Sequence, residues 1–285
     1  CKTTIGYGSP DKAGTSASHG APLNQEEIDN MKNNLQWTHG PFEIPTDLKD
    51  AWRLVGLKNT RKRKDWEERL SKIDDKKKVK FLHAINGDIS DLVTKNIQDL
   101  KEKYSSESPK LATRQSSQQV LEIINPIIEE MIGGSADLTP SNNTKTKDIN
   151  PISKNNFNGR FIHYGIREHG MAAAMNGMAL HKGIIPYSGT FLIFSDYCRP
   201  SIRLAALMGI KVIHVMTHDS IGVGEDGPTH QPVEQIPSLR SIPNLNVFRP
   251  GDATEVAECW EIAIKSNRPT VIALSRQGCE HFRDT

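Results

Sequence analysis

The chain has 285 residues, 36% of them hydrophobic and 25% charged, with a formal net charge of +2. These values are typical of a globular protein with one large or two modest domains. The small net charge argues against a nucleic-acid or membrane-surface binder, and no apolar stretch approaches the roughly 20 residues that span a bilayer.

The cysteines, Cys1, Cys198, Cys259 and Cys279, are scattered and form no C-x-x-C pair. The sequence therefore predicts neither a zinc site nor a redox pair. We expect reduced, packed cysteines and a cytoplasmic location. The first residues, CKTTIGYG, contain no Met and no signal peptide, so we expect a piece of a longer protein or its ordered part.

The N-terminal third predicts loops and short helices. Residues 1–23 indicate the end of a strand followed by a long loop rich in Gly, Ser, Thr and Pro. NQEEIDNMKNN, residues 24–34, begins with Asn24 as a candidate cap and predicts a short helix. Residues 44–56 predict a second helix that ends at Gly56.

Residues 58–80 contain eleven basic and five acidic side chains. A pair of solvated helices is favoured over a nucleic-acid patch, because acids alternate with the bases and Trp66 is the only aromatic residue there. A helical stretch follows to residue 106, and the polar segment 105–113 resembles a linker. We therefore predict two domains, residues 1–104 and 105–285.

Strands and helices alternate after this linker. The predicted strands and helices are an amphipathic helix at 115–131 broken at Asn125-Pro126, a strand and loop at 132–138, a helix at 167–181, a strand and turn at 183–194, a helix at 195–208, a strand at 211–217, a strand end at 246–250, a helix at 253–266 and a strand at 270–275. This order predicts an α/β fold with a parallel sheet covered by helices on both faces. Ligands of such folds bind at the carboxyl ends of the strands.

The segment THDSIGVGEDGPTHQP, residues 217–232, follows a buried strand and contains the pattern G-x-G-x-x-G. Four interpretations are open: a dinucleotide loop, a metal site, a mobile solvent loop and a polar substrate-binding loop. Acids inside the glycine run disfavour a pyrophosphate, and the histidine spacing is not that of a helical metal pair. The position at the rim of a sheet favours substrate binding.

Two further segments contain candidate site residues. In HYGIREHGM, Glu168 either complements the start of a helix or pairs with Arg167, or it is a partly buried carboxyl that keeps its proton for a ring nitrogen. In GTFLIFSDY, Phe191, Phe194 and Tyr197 follow one another at intervals of three residues. Such spacing is typical of a core, and it would also form a cage for a flat heteroaromatic ring.

The motifs GYGSPDKAGTSASHGAPL, GGSADLTPSN, HYGIREHGM and THDSIGVGEDGPTHQPVEQ together resemble the transketolase family over essentially the whole chain. The resemblance implies a thiamine-diphosphate enzyme that moves a two-carbon ketol unit between sugar phosphates. The closely related dihydroxyacetone synthases are one alternative family. A second alternative is a partner-binding subunit that has no catalytic activity of its own.

Within that family the chain would be the end of the diphosphate-binding domain, a linker and the pyrimidine-binding domain of a homodimer. Gly87-Asp88 is followed by Ile-Ser rather than by the family's G-D-G…N segment. We therefore expect the ligands of Mg²⁺, or of another divalent cation, to lie outside this chain. No metal ligands are expected within the chain, and the chain alone is expected to be inactive.

The resemblance also implies roles for individual residues. Glu168 would hydrogen-bond the aminopyrimidine nitrogen, and His19, Glu168 and His230 would be the catalytic residues. The remaining cofactor contacts would be Phe191, Phe194, Tyr197, Asp137, Leu138 and His19. The substrate contacts would be Asp226, His230 and His19 for hydroxyl or reacting oxygens, and Arg114, Ser141, His218 and Arg276 for the terminal phosphate.

Overall fold

In the computed structural model, which describes residues 1–87, 89 and 91–284, the chain divides into two units between Ile73 and Asp74. This division reflects the density of contacts within the chain, not the boundary between family domains. The predicted domain boundary between residues 104 and 105 therefore stays a prediction. Asp88 and Ser90, which bear on the missing G-D-G…N segment, lie outside the described residues.

The first unit contains helices α1 (Gln25–Asn34) and α2 (Thr46–Lys72). Asn24 caps α1 as predicted, through a reciprocal capping box with Glu27. The predicted strand near residue 5 is wrong, because turns cover this stretch and Gly6 has a φ of 65°.

The predicted helix end at Gly56 is also wrong, since α2 runs through Gly56 to Lys72. A glycine inside a helix costs only about 1 kcal/mol, and the nearby Leu54, Leu57 and Lys58 are good helix formers. The charged region thus forms the end of α2 and helix α3 (Asp75–Asn86), and neither helix buries a residue.

The second unit contains a parallel sheet and the helices around it. Its helices after α3 are α4 (Asp91–Glu107), α5 (Thr113–Ile124), α6 (Thr139–Asn142), α7 (Glu168–His181), α8 (Ser195–Met208), α9 (Gln235–Arg240) and α10 (Ala253–Lys265). Its strands are β1 (Leu111–Ala112), β2 (Met131–Ser135), β3 (Phe161–His163), β4 (Ile185–Phe191), β5 (Ile213–Thr217), β6 (Asn246–Phe248), β7 (Thr270–Leu274) and β8 (Gly278–Cys279).

Six strands form one sheet in the order β3-β2-β4-β5-β7-β6, and every neighbouring pair is parallel. The two short strands β1 and β8 form a separate antiparallel pair. Each residue of β4, β5 and β7 is buried, as expected for central strands covered on both faces. The predicted α/β fold is therefore confirmed.

Helices cover both faces of this sheet. On one face α4, α5 and α10 pack over residues such as Tyr187 and Val215, with Trp260 fully buried among them. On the other face α7 and α8 pack over Met216 and its neighbours. The carboxyl ends of the parallel strands therefore meet at one edge of the sheet, where ligands of such folds bind. No helix of the described residues is long and apolar enough to cross a membrane.

Candidate active site at the carboxyl ends of the strands

A cavity of about 440 Å³ opens at this edge of the sheet. Segments that follow β2, β3, β4 and β5 all contribute to its wall. The lining residues are Ala136, Asp137, Leu138, Ile166, Glu168, Phe191, Phe194, Tyr197 and His230. The structure thus brings together seven of the residues that the sequence predicts for the site.

Glu168 is the half-buried first residue of α7. The alternative of an ion pair with Arg167 is not realised among the described residues, because the Arg167 guanidinium donates to the Tyr164 carbonyl oxygen at 2.9 Å. Burial and then the nearby Glu168 carboxylate raise the pKa of the buried Cys198 thiol to about 12. Glu168 thus lines the cavity and lies near Cys198 of α8.

Aromatic rings form the wall of the cavity. Phe191 and Phe194 lie nearly parallel, with their ring centroids 5.8 Å apart, and Tyr197 is 6.0 Å from Phe194. The His230 ring stands edge-on to Phe194 at 5.4 Å. These flat apolar surfaces beside one carboxyl group suit a heteroaromatic ring that carries a polar nitrogen.

Three basic residues, Arg114, His218 and Arg276, form a cluster next to the cavity, which we call the basic cluster. His218 stacks on Phe191 with a centroid separation of 3.7 Å, so this cluster and the aromatic wall share a residue. Burial, the Arg114 guanidinium and, more weakly, Arg276 and His230 lower the pKa of His218 to about 4, although Asp226 opposes them. His218 is therefore a neutral imidazole at neutral pH, among charged neighbours.

Arg114 and Arg276 are anchored in different ways. Arg114 Nη1 donates to the Ser141 carbonyl oxygen at 2.8 Å, and burial and Arg276 lower the pKa of this guanidinium. The buried Nε of Arg114 has no partner among the described residues. Arg276 donates to the Glu225 carboxylate at 3.1 Å. Arg276 lies close enough to lower the pKa of Arg114, and two neighbouring guanidinium groups favour an anion between or beside them.

The loop that ends with Pro232 contains two single 3-10 turns, Ile221–Val223 and Pro228–His230. Only the 3-10 turn Pro228–His230 follows Gly227, and the next α-helix, α9, begins at Gln235, so the α-helix N-terminus of a dinucleotide loop is missing. Within the described part of the chain, no group of three or more His, Cys, Asp or Glu side chains could hold a metal ion. The interpretations as a mobile solvent loop and as a polar substrate loop both stay open.

His19 is exposed in the first unit, where it follows the 3-10 turn Ser16–Ser18. Its predicted place near the cofactor diphosphate stays a prediction. Sequence reasoning missed Ala136 and Ile166 in the cavity wall, and it missed a buried polar cluster formed by Ser135, Asn142 and Thr217. These three polar residues lie within the motifs GGSADLTPSN and THDSIGVGEDGPTHQPVEQ, which were the available signal.

Two family models match the chain: "Transketolase, pyrimidine binding domain" over residues 109–280 and "Transketolase, thiamine diphosphate binding domain" over residues 1–90. Among curated relatives, a transketolase of Sinorhizobium medicae is 51% identical over 100% of this chain and 41% of its own length. A transketolase of Cereibacter sphaeroides is 53% identical over 99% of this chain and 43% of its own length.

Solved structures agree with these matches. A transketolase from Leishmania mexicana superposes with a TM-score of 0.85 at 41% identity, covering 98% of this chain and 42% of that protein. A transketolase from Pichia stipitis in complex with sedoheptulose 7-phosphate has a TM-score of 0.89 at 35% identity, with the same two coverages, 98% and 42%. The chain thus spans less than half the length of these relatives.

Proposed function

Because the chain belongs to the transketolase family, we propose that it is part of an enzyme that moves a two-carbon ketol unit from a ketose phosphate to an aldose phosphate. The cofactor would be thiamine diphosphate. The observation that carries this proposal is a carboxyl group and an aromatic wall in one cavity, directly beside a basic cluster.

The cavity fits the pyrimidine ring of that cofactor. Phe191, Phe194 and Tyr197 offer flat surfaces, and Asp137 and Leu138 also line the cavity. Thiamine diphosphate, when bound, supplies the thiazolium carbon on which the two-carbon unit is carried. The role of Glu168 is to hold a proton between its carboxyl oxygen and the pyrimidine nitrogen, in a half-buried place that limits competition from water.

The basic cluster would bind the terminal phosphate of the sugar. Arg114 and Arg276 offer forked guanidinium donors, and neutral His218 offers one N–H. Ser141 lies within reach of Arg114, whose guanidinium donates to its carbonyl oxygen. Asp226 and His230, on the loop that contributes His230 to the cavity wall, would take the hydroxyls between the phosphate and the reacting carbon.

Several finer expectations are part of the same proposal. The intact enzyme would be a homodimer, and a divalent cation, Mg²⁺ or another, would hold the cofactor diphosphate with ligands outside this chain. The enzyme would act in the pentose phosphate pathway. The four cysteines are all free in the structure, and this supports a cytoplasmic location.

Replacing Glu168 in the intact enzyme tests the cofactor site. Glu168→Gln keeps the shape of the side chain but cannot supply an acidic proton, so kcat should fall by about 10²- to 10⁴-fold. Steady-state turnover at saturating cofactor measures this. Glu122→Gln, at a half-buried glutamate of α5 on the other face of the sheet, is the matched control. Turnover of the Glu168 variant equal to that of the control would refute the assignment.

A second experiment tests the phosphate site. Arg114→Ala should raise KM for a phosphorylated ketose by about 10- to 100-fold, the loss expected for charge-assisted hydrogen bonds, and should change KM for an unphosphorylated ketose far less. Arg203→Ala removes an equal charge from an exposed position of α8 and serves as the control. Equal effects of Arg114→Ala on both substrates would argue against a phosphate role.

A further inference from the structure

A chain of buried hydrogen bonds connects the segment after β2 with the histidine after β5. The Leu138 amide donates to Ser135 Oγ at 3.1 Å, and Ser135 Oγ donates to Asn142 Oδ1 at 2.9 Å. Asn142 Nδ2 donates to Thr217 Oγ1 at 2.7 Å, and Thr217 Oγ1 lies 2.9 Å from His218 Nδ1. We call these four side chains, Ser135, Asn142, Thr217 and His218, the relay.

The relay is buried within the fold. Ser135, Asn142 and Thr217 are all 0% exposed, and strand β4 passes beside them. A Cβ atom at Gly189 of β4 would lie 3.0 Å from Asn142 Cβ and 2.7 Å from the Thr144 methyl group. The absence of a side chain at Gly189 therefore makes room for the asparagine that joins the two ends of the relay.

The direction of the relay follows from its first donor. A backbone N–H can only donate, so Ser135 Oγ accepts from Leu138 and its own proton is free for Asn142 Oδ1. That contact turns the amide nitrogen of Asn142 toward Thr217. The Thr217 hydroxyl, which accepts from Asn142, then has its proton available for His218 Nδ1.

We infer that the relay selects the tautomer of His218 in which Nδ1 accepts from Thr217 and Nε2 carries the proton. Ser135, Asn142 and Thr217 are thus positioning residues that present the Nε2–H of His218 as a fixed donor to the sugar phosphate. This inference rests on the proposed function, since it assigns a donor within the proposed phosphate site.

The opposite tautomer would leave a buried proton without an acceptor. With the proton on Nδ1, Thr217 Oγ1 would accept from both His218 and Asn142. Its own hydroxyl proton would then have no partner among the contacts of the described residues, and an unpaired buried donor carries its full desolvation cost. Because His218 is neutral at neutral pH, one ring nitrogen alone carries a proton, and the relay decides which.

Thr217→Val in the intact enzyme removes the last link but keeps the shape of the side chain. KM for a phosphorylated ketose should rise by about 10- to 100-fold with kcat little changed, and KM for an unphosphorylated ketose should stay near that of the wild type. Thr217→Ser keeps the hydroxyl and should restore KM. Thr190→Val is the control, because Thr190 is also 0% exposed, lies on the neighbouring strand β4 and makes no hydrogen bond through Oγ1.

Arg114→Ala separates failure of this inference from failure of the proposed function. Suppose that Arg114→Ala raises KM far more for the phosphorylated than for the unphosphorylated ketose, while Thr217→Val has the same KM values as Thr190→Val. The relay is then overturned and the phosphate site stands. If neither Arg114→Ala nor Thr217→Val changes KM more for the phosphorylated ketose than for the unphosphorylated one, the phosphate site itself is overturned.

Neutron diffraction from deuterated crystals of the wild-type enzyme tests the tautomer without a variant. The expected map shows a deuteron on His218 Nε2, none on Nδ1, and the Thr217 deuteron directed at Nδ1. A deuteron on Nδ1 directed at Thr217 would overturn the inference, even if Thr217→Val failed to fold.

Discussion

Lys182 has an unusual backbone conformation. It ends α7 with a φ of 67° and a ψ of 165°, a region that is essentially restricted to glycine. Its amide donates to the Ala179 carbonyl oxygen at 3.2 Å, and its own carbonyl oxygen accepts from His181 Nδ1 at 3.0 Å. These bonds involve only the backbone of Lys182, so a glycine could keep them without the strain.

We therefore expect Lys182→Gly to raise the free energy of unfolding of the intact protein by about 1 kcal/mol. The relieved strain is about 1–3 kcal/mol, and the added freedom of glycine in the unfolded chain offsets about 0.5–1 kcal/mol of it. Urea unfolding followed by circular dichroism measures the difference. Lys182→Ala removes the same long side chain but keeps Cβ, so an equal gain in both variants would show that strain is not the cause.

Single residues of the site were predictable where a long motif contained them. Glu168, Phe191, Phe194 and Tyr197 come from two motifs, and the structure places them in one cavity. Their roles stay predictions. The relay was not predictable, because Asn142 and Thr217 are 75 positions apart and meet only through the folded sheet. Short polar side chains such as these have no periodicity that marks them in a sequence.

At the scale of secondary-structure elements, the pattern of apolar residues predicted best where burial is complete. Strands β5 and β7 are near-continuous apolar runs, and helix α8 was predicted at residues 195–208, where the structure has it. Strand β3 was missed, because three residues at the edge of a sheet leave too short a pattern.

The order of the strands in the sheet could not be predicted from the sequence. The alternation of strands and helices predicts a parallel sheet, but it does not show that β4 lies between β2 and β5. That order brings the ends of β2, β4 and β5 together. It therefore places Leu138, Phe191 and His218 around one cavity and its basic rim.

At the scale of the whole molecule, one buried histidine makes the stability of the sheet depend on pH. His214 of β5 is 0% exposed, and neither of its ring nitrogens has a partner among the described residues. Burial lowers its pKa from 6.5 to about 4. Between these values the unfolded chain binds a proton at His214 and the folded chain does not. Stability is therefore full above pH 6.5 and falls as the pH falls toward 4.

Replacing His214 by leucine should remove this dependence. His214→Leu should already be more stable at pH 7.5, because two unpaired buried nitrogens are lost, and its advantage should grow by up to about 3 kcal/mol between pH 6.5 and 4. The pKa of His218 is also lowered to about 4, so His218 destabilises both proteins by the same amount over the same pH range. Its contribution therefore cancels in the comparison.

Urea midpoints of the intact wild type and variant, taken from pH 7.5 to 4, measure this advantage. Met216→Leu, at a fully buried position two residues along the same strand, changes packing without a titratable group and should differ from wild type by a constant amount. An advantage of His214→Leu that is as constant with pH as that of Met216→Leu would show that His214 does not carry the acid sensitivity of this sheet.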